Sequence, residues 1–334
     1  MRKKVAGIPL YFFAIVVVIL LAVIVVGSFL DLQISERFAV LDNPFGKVVA
    51  LVGKYPGYAL LGLSGVLFFL SRQDKKGPFN VAISWALLLG IAIGAGALYG
   101  FDDIDEYLND KVISVLIGIV AIAPAEVLLY FLFRKANQVE AFNASMALLF
   151  IGILTIGMSY LLKTAALRPR YSWLADGNLQ YYQTWYSFSS AAREAFPDAL
   201  ESDFASWPSA HTAMASVTVA MILFPRLNSK LTGKEMIFFL SSFLWTVLVA
   251  IGRMSDGSHF LSDVGWGALI GLLLSFLVIV FIYTSPKASA EQAVANSGSN
   301  ATTVTTASPA QSPEPKNSGN PKKKTKDKGF EIDV

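Results

Sequence analysis

The sequence predicts an all-α, polytopic membrane helix bundle. Of its 334 residues, 54% are hydrophobic and 15% are charged, and the mean hydropathy is +0.54. The charged share lies well below the roughly 25% of an ordinary soluble domain, so lipid must solvate much of the apolar surface. Apolar runs close to the ~20 residues that cross a bilayer recur along the chain and predict about eight transmembrane helices. They fall at about 8–30, 55–71, 79–100, 112–133, 142–165, 209–225, 236–252 and 260–283.

The first two runs need separate interpretation. The first follows a basic N-terminus, but it is too long for a signal peptide and lacks a clear small-residue cleavage site. We therefore expect an uncleaved first transmembrane helix. The second run is the shortest, and Pro44, Gly53 and Pro56 indicate a broken approach to it.

Basic and acidic residues alternate between the connecting segments. By the positive-inside rule, both termini lie in the cytoplasm, and the acidic loop 102–106 and the segment 166–208 lie on the outer side. The protein is thus expected to be a multi-pass protein of a plasma or inner membrane. The basic residues behind this prediction are Arg2, Lys3, Lys4, Arg72, Lys75, Lys76, Arg134, Lys135, Arg226, Lys230, Lys234 and Lys322–Lys324.

Composition divides the chain into a transmembrane domain at 1–284 and a cytoplasmic tail at 285–334. The tail is rich in Ser, Thr, Ala, Pro and Asn and ends in a lysine-rich patch, which is typical of disorder. The lysines are expected to be solvated without a specific role or to contact anionic lipid heads. The net charge of +3 is small, so nucleic-acid binding is not indicated. The absence of cysteine excludes disulfides, thiolate metal sites and a cysteine nucleophile.

Two histidines are the candidate reacting groups. His211 lies at the start of the sixth apolar run, and His259 lies between the seventh and eighth. Ionisable groups near a membrane segment are costly and tend to be functional. Asp263 follows His259 by four residues, so on one helix face it would accept a hydrogen bond from one ring nitrogen. That bond would fix the tautomer and leave the other nitrogen free to attack.

A basic cluster, Lys163 to Arg170, ends the fifth run on the side that is otherwise poor in basic residues. Cations after an apolar helix are often snorkelling anchors, but here they also suggest an anionic ligand. Counting the spans places this cluster, His211, and the segment from Arg253 to Asp263 at one membrane face. Two helix N-termini meet there, and such termini bind phosphate. The sequence therefore predicts a phosphate ligand and an imidazole nucleophile.

These residues resemble the type 2 phosphatidic acid phosphatase (PAP2) superfamily. Its motifs are Lys-x6-Arg-Pro, Pro-Ser-Gly-His and Ser-Arg-x5-His-x3-Asp, and they match in order across roughly residues 160–265. The last motif is the most specific, because Arg253, His259 and Asp263 are all in register. The resemblance implies a six-helix PAP2-like core within the bundle. The first half of the chain resembles the family only in being helical.

The resemblance also implies a role for each residue. His259 attacks phosphorus and becomes a phosphohistidine, and Asp263 orients it. His211 protonates the leaving oxygen and then activates water. No metal or other cofactor is expected. The residues implied to hold the phosphoryl oxygens are Lys163, Arg170, Ser209, Ala210 through its backbone N–H, and Arg253.

Three departures from the family motifs affect this assignment. Ala210 replaces the glycine of the second motif, and Gly252 replaces the serine before the last arginine. In the first motif, the spacing from Lys163 leads to Arg170, which is followed by Tyr171 instead of proline. The literal Arg-Pro pair begins at Arg168, two residues early. We expect Arg170 to be the phosphate ligand and keep Arg168 as the alternative.

The segment 171–208 is rich in aromatic residues, which indicates either an interfacial belt or a lid over the lipid head group. Its aromatic residues are Tyr171, Trp173, Tyr181, Tyr182, Trp185, Tyr186, Phe188, Phe196, Phe204 and Trp207.

The predicted function is hydrolysis of a lipid phosphate or pyrophosphate at the outer membrane face. Candidate substrates are phosphatidate, phosphatidylglycerol phosphate, undecaprenyl pyrophosphate and lipid A phosphate. The same residues would serve a lipid or sugar phosphotransferase. A non-enzymatic anion or lipid transporter is a further alternative, although the ionisable groups gather at one face rather than along a midplane path. The sequence does not indicate an oligomeric state.

Overall fold

The computed structural model describes residues 4–108 and 110–284, and within them the chain is all-α, as predicted. A pair of two-residue antiparallel strands, β1 (Lys4–Val5) and β2 (Ile8–Pro9), precedes the helices. The tail predicted to be disordered lies outside the described residues. The helices are α1 (Leu10–Phe38), α2 (Pro44–Val52), α3 (Tyr55–Leu70), α4 (Pro78–Tyr99), α5 (Asp105–Leu108), α6 (Lys111–Phe133), α7 (Gln138–Ala166), α8 (Tyr171–Ala175), α9 (Ala191–Ala195), α10 (Ala210–Ser216), α11 (Phe224–Leu227), α12 (Glu235–Ser255) and α13 (Leu261–Thr284).

Irregular helical turns extend or join several of these elements. A π-helical turn, Gly100–Ile104, continues α4 into α5, and a 3₁₀ segment, Val217–Leu223, joins α10 to α11. Short 3₁₀ turns lie at Leu179–Tyr181, Glu201–Phe204 and Ser229–Leu231.

The eight predicted spans all form helices, and seven of them are long and apolar enough to cross a membrane. The exception is α3, which has 16 residues against the ~20 that span a bilayer. The contacts at its two ends show that α3 runs antiparallel to α4. Lys54, just before α3, pairs with Asp103 beyond the end of α4, and Arg72, just after α3, donates to Asn80 near the start of α4. Most of α3 is buried among its neighbours α4, α6 and α7.

The approach to α3 is broken, as expected. Residues 44–52 form the separate helix α2, which begins at Pro44 and ends before Gly53, and α3 begins at Tyr55. Asn43 caps α2 by accepting the backbone N–H of Gly46 at 2.6 Å, and Pro44 occupies the first helical position. The Asn43 side chain also donates to the carbonyl oxygen of Ser255 at 2.8 Å, which ties α2 to the end of α12.

The helix ends form two groups of contacts. One group is here called the site end. It contains the whole of α2, the ends of α1, α4, α7 and α12, and the starts of α3, α10 and α13. The contacts His211–Ala50, Arg168–Asp31 and Asn43–Ser255 define it. At the opposite end, Gln138 donates to Asp74 and Arg226 pairs with Glu140. These pairs connect α7 to the loop after α3 and to α11.

Glycines let α13 lie against the backbone of α10. A Cβ atom on Gly271 would overlap the carbonyl oxygen of Ala213, and one on Gly267 would overlap the carbonyl oxygen of Ser209. Close helix approach through residues spaced by four is the usual way that membrane helices gain packing energy. The approach also fixes the start of α10 relative to α13.

We predict that Gly271→Ala lowers the stability of the protein by about 1–3 kcal/mol, because the methyl group meets backbone that cannot rotate away. Thermal unfolding in detergent measures the effect. Gly157→Ala is the matched control, since a Cβ atom there meets nothing within 4 Å. Equal melting temperatures for the two variants would contradict this account of the α10–α13 contact.

Candidate active site

The start of α10 carries three of the predicted site residues. The hydroxyl of Ser209 caps the helix by accepting the backbone N–H of Thr212 at 3.4 Å. The backbone N–H of Ser209 donates to the carbonyl oxygen of Asp263 at 3.1 Å, so α10 and α13 begin side by side. Ala210 is the first residue of α10, and its N–H is one of those that a helix start leaves without an intrahelical acceptor.

The two histidine rings lie close together at the site end. His211 and His259 are both buried, and their ring centroids are 6.5 Å apart. Nε2 of His211 lies 3.0 Å from the carbonyl oxygen of Ala50 in α2. Nδ1 of His259 lies 2.6 Å from the carbonyl oxygen of Ser206. Because a carbonyl oxygen only accepts, Nδ1 of His259 carries the proton, and Nε2 is its nitrogen with a lone pair.

The predicted hydrogen bond between His259 and Asp263 is wrong. Nδ1 of His259 and Oδ2 of Asp263 are 3.8 Å apart, which is an electrostatic contact rather than a hydrogen bond. The reason is that α13 begins at Leu261, so His259 lies in the preceding turn and does not share a helix face with Asp263. Oδ2 of Asp263 instead accepts the hydroxyl of Ser206 at 2.5 Å and the backbone N–H of Phe260 at 2.9 Å.

Ser206 therefore links the histidine to the carboxylate. Its carbonyl oxygen accepts from His259, and its hydroxyl donates to Asp263. Ser206 is fully buried, and its backbone N–H donates to the carbonyl oxygen of Arg168 at 3.0 Å. Asp263 thus orients the imidazole through Ser206 rather than directly.

Arg168, which was the alternative phosphate ligand, forms ion pairs with two carboxylates of the protein. It enters the bundle because α7 ends at Leu167, which has the left-handed φ of 48°, and Pro169 cannot continue the helix. Its guanidinium is 1% exposed and pairs with Asp263 at 2.5 Å and with Asp31 of α1 at 2.9 Å. Nε donates to the carbonyl oxygen of Gln183 at 3.0 Å.

Lys163 and Arg170 flank the turn at Leu167. Lys163 lies in the last turn of α7, and Arg170 directly follows Pro169. The amine of Lys163 donates to the carbonyl oxygen of Ala205, and Lys163 interacts electrostatically with Arg170 and Asp263. The backbone N–H of Arg170 donates to the carbonyl oxygen of Asp203 at 2.7 Å. Burial raises the pKa of Asp203, and the charge of Arg170 opposes that rise. Because Arg168 is paired with two carboxylates, Arg170 stays the predicted phosphate ligand.

Arg253 carries unused donors in the interior. It is 1% exposed, and Nη1 pairs with Asp256 at 2.7 Å. Its Nε and Nη2 are buried and make no hydrogen bond to any residue that the structure describes. A buried donor without a partner costs free energy, about 1–3 kcal/mol and more for a charged group. Arg253 also acts electrostatically on both His211 and His259, so its charge lies near both rings.

Gly252, which departs from the family motif, has a packing reason here. A Cβ atom at this position would lie 2.5 Å from Cβ of Val49 in α2. A serine would therefore displace α2, the same helix whose Ala50 carbonyl accepts from His211. The glycine lacks the hydroxyl of the family's serine, but it allows α2 to lie close to α12.

The aromatic segment between α7 and α10 forms two ring clusters. Trp173 packs against Phe196 and Phe204, with ring centroids 5.1 Å apart in each pair. Trp185 stacks on Trp207 at 6.0 Å, and its indole N–H donates to Ser28 of α1 at 2.8 Å. The segment is therefore packed and attached to α1. Its role as an interfacial belt or a lid stays a prediction.

The structure brings together all the predicted site residues, whose roles stay predictions, and adds four that the sequence analysis missed. Asp31 and Ala50 come from α1 and α2, and Asp103 from the turn after α4, where its Oδ1 lies 3.4 Å from Nε2 of His211. Ser206 lies three residues before Ser209. Asp31 could have been found from its position directly after the first apolar run, because a charge near a membrane segment is costly without a partner.

The environment of His259 favours the neutral imidazole. Burial lowers its pKa to about 3, and the positive charges of Lys163 and Arg253 act in the same direction, whereas Asp263 opposes them. A neutral ring keeps the lone pair on Nε2 that a nucleophile needs. The neutral ring at neutral pH is compatible with the predicted role of His259, which stays a prediction.

The described residues form an apolar helix bundle with helices long enough to cross a membrane, and a buried site with two histidines and several cations lies at one end of it. The model of the PAP2 superfamily matches residues 143–287, which include every residue of the three motifs. This region of the chain is similar to the PAP2 superfamily and is consistent with a member of it. Neither the curated proteins nor the solved structures gave a match to the chain. The similarity supports phosphatase-type activity in general.

We predict that Arg168→Gln lowers the free energy of unfolding by about 3–5 kcal/mol, because it leaves Asp31 and Asp263 buried without their cation. Chemical or thermal unfolding in detergent measures the loss. Arg170→Gln is the matched variant two residues away, and it should be less destabilised because it does not join two fully buried carboxylates. An equal loss in both variants would show that Arg168 is not the structural arginine.

We predict that stability falls as pH is lowered from 6.5 towards 3. An unfolded histidine with a pKa of about 6.5 binds a proton in this range, whereas His259, with its pKa lowered to about 3, stays neutral in the fold. The loss from this one group is at most about 1.4 kcal/mol per pH unit. Melting temperatures between pH 7 and pH 4.5 should fall less steeply for His259→Gln than for the wild type. Parallel curves would contradict the assigned pKa.

Proposed function

We propose that this protein is a membrane phosphatase that hydrolyses a lipid phosphate or pyrophosphate through a phosphohistidine on His259. The observation that carries the proposal is the pair of unpartnered, buried N–H groups of Arg253 beside two histidine rings. A phosphoryl group would supply the acceptors that Nε and Nη2 lack. Arginine suits this role because its planar donors match phosphate oxygens.

The first half of the reaction forms the phosphoenzyme. Nε2 of His259 attacks phosphorus while the ester oxygen leaves and takes a proton from His211. Lys163, Arg170 and Arg253 offset the charge of the phosphoryl oxygens, and the start of α10 offers the N–H of Ala210. Because these donors are fixed by the fold, little reorganisation accompanies the transition state.

The second half returns the enzyme to its starting state. His211, now neutral, takes a proton from water, and the resulting hydroxide attacks the phosphohistidine. The bond between phosphorus and Nε2 breaks, and inorganic phosphate leaves. The neutral state that burial favours for His259 makes it a good leaving group in this step.

An apolar cavity supports a lipid as the substrate. A cavity of about 220 Å³ lies among α1, α12, α13 and the 3₁₀ segment after α10. Its lining includes Met254, next to Arg253, and Leu261, two residues after His259. A hydrocarbon chain in this cavity would have its head group near the histidines. The proposed substrates are phosphatidate, phosphatidylglycerol phosphate and undecaprenyl pyrophosphate.

The basic connecting segments support a site that faces the outside of the cell. Arg72 and Arg134 lie just after α3 and α6, and Arg226 lies in the short helix α11. All three are at the end of the bundle opposite the site end, where the positive-inside rule expects the cytoplasm. The site end would then face the periplasm or the cell exterior, with both termini inside.

We predict that the purified protein releases phosphate from these lipids in the presence of chelator and that His259→Ala abolishes the release while the protein stays folded. The wild type should form an acid-labile, alkali-stable phosphoenzyme with labelled substrate, and His211→Ala should accumulate it when the leaving group is a good one. Replacing Glu201, an exposed residue of the segment before α10, with Gln is the matched control and should leave turnover unchanged.

Three outcomes separate the candidate functions. Full turnover by His259→Ala would contradict the mechanism. Transfer of the phosphoryl group to an added lipid or sugar alcohol instead of water would identify a phosphotransferase with the same site. Substrate binding without phosphate release in any condition would favour the transporter alternative.

A further inference from the structure

A buried carboxylate from outside the family-matched region faces His211. Asp103 lies in the π-helical turn that continues α4, and it is 1% exposed. Its Oδ1 is 3.4 Å from Nε2 of His211 and 2.7 Å from Nζ of Lys54. Neither carboxylate oxygen accepts a well-aligned hydrogen bond from a described residue. A buried carboxylate in this state is costly, which indicates a role beyond packing.

Asp103 is placed to offset positive charge at His211. Lys54 pairs with both Asp102 and Asp103, and Tyr58 donates to Asp102 at 2.8 Å. Further cations lie near this cluster, because Lys163 acts electrostatically on Asp102 and Arg253 acts on both Asp103 and His211. The carboxylate of Asp103, 3.4 Å from Nε2 of His211, offsets part of that positive charge.

The contacts also fix which nitrogen of His211 faces the reaction. Nε2 lies against two acceptors, the carbonyl oxygen of Ala50 and the carboxylate of Asp103. Nε2 therefore carries the proton in the neutral ring, and Nδ1 is the nitrogen that exchanges a proton.

We propose that Asp103 is a positioning residue for His211, holding it in the Nε2–H tautomer and stabilising its imidazolium. This inference rests on the proposed phosphatase activity. The proton on Nδ1 passes to the leaving oxygen as the bond between that oxygen and phosphorus breaks and the bond from His259 to phosphorus forms. His211 returns to the neutral ring, and in the second step Nδ1 takes the proton back from water.

The dependence on the leaving group tests the proposal in the full-length protein in detergent. Octyl phosphate releases an alkoxide that needs a proton, whereas 4-nitrophenyl phosphate releases a stable phenolate. Asp103→Asn should lower kcat for phosphoenzyme formation by about 10²-fold with octyl phosphate and by less than about fivefold with 4-nitrophenyl phosphate. In the His211→Gln background, Asp103→Asn should cause no further loss with octyl phosphate.

Asp102→Asn is the matched control, because it also removes a partner of Lys54 but leaves His211 untouched. It should affect the two substrates to the same extent. An equal loss on both substrates in Asp103→Asn would show that Asp103 has only a structural role. If the wild type releases phosphate from neither substrate, the proposed function fails, and that result differs from a failure of the Asp103 proposal alone.

A second measurement does not depend on a folded Asp103 variant. The chain has two histidines, so ¹⁵N-histidine labelling of the wild type and of His259→Gln assigns both rings. The nitrogen shifts of His211 should report the Nε2–H tautomer. A protonated Nδ1 in the neutral ring would overturn the proposal.

Discussion

The buried guanidinium of Arg168 is the interaction on which the site depends. It joins Asp31 of α1 to Asp263 of α13, while Ser206, whose N–H donates to the Arg168 carbonyl, holds His259. Neither carboxylate would be tolerated in an apolar bundle without this cation. The turn that begins at Leu167 therefore sets the position of His259, while the guanidinium of Arg168 is paired with two carboxylates. The Arg-Pro pair is Arg168-Pro169, whereas the proposed phosphate ligand is Arg170.

The two histidines have different hydrogen-bond and carboxylate partners. His259 has cations nearby and a carbonyl oxygen at Nδ1, so its ring stays neutral with a lone pair on Nε2. His211 has the carbonyl oxygen of Ala50 at 3.0 Å and the carboxylate of Asp103 at 3.4 Å from Nε2. In the proposed mechanism, Asp103 offsets the positive charge that His211 carries as the acid. The rings are close enough, at 6.5 Å between centroids, for one phosphoryl group to reach both.

The local patterns of the sequence predict the helices, the grouping of helix ends and the identity of the motif residues. They fail where the partner is distant in the chain. Ala50 and Asp103 contact His211 across more than a hundred residues, and no spacing rule relates them. The error at Asp263 has a different origin, because the i to i+4 rule applies only inside a helix and α13 begins two residues too late. The apolar run of α3 was predicted as a span, but α3 has only 16 residues, and most of them are buried against other helices.

The contact of α2 with Gly252 and His211 has a consequence for how the protein can change over time. The family-matched region, residues 143–287, carries the motifs, but Arg168 and His211 each contact a residue in the first half of the chain. The two halves are therefore not interchangeable modules. A different N-terminal half could be joined to this one only if it supplied a carboxylate and a carbonyl oxygen at the same places.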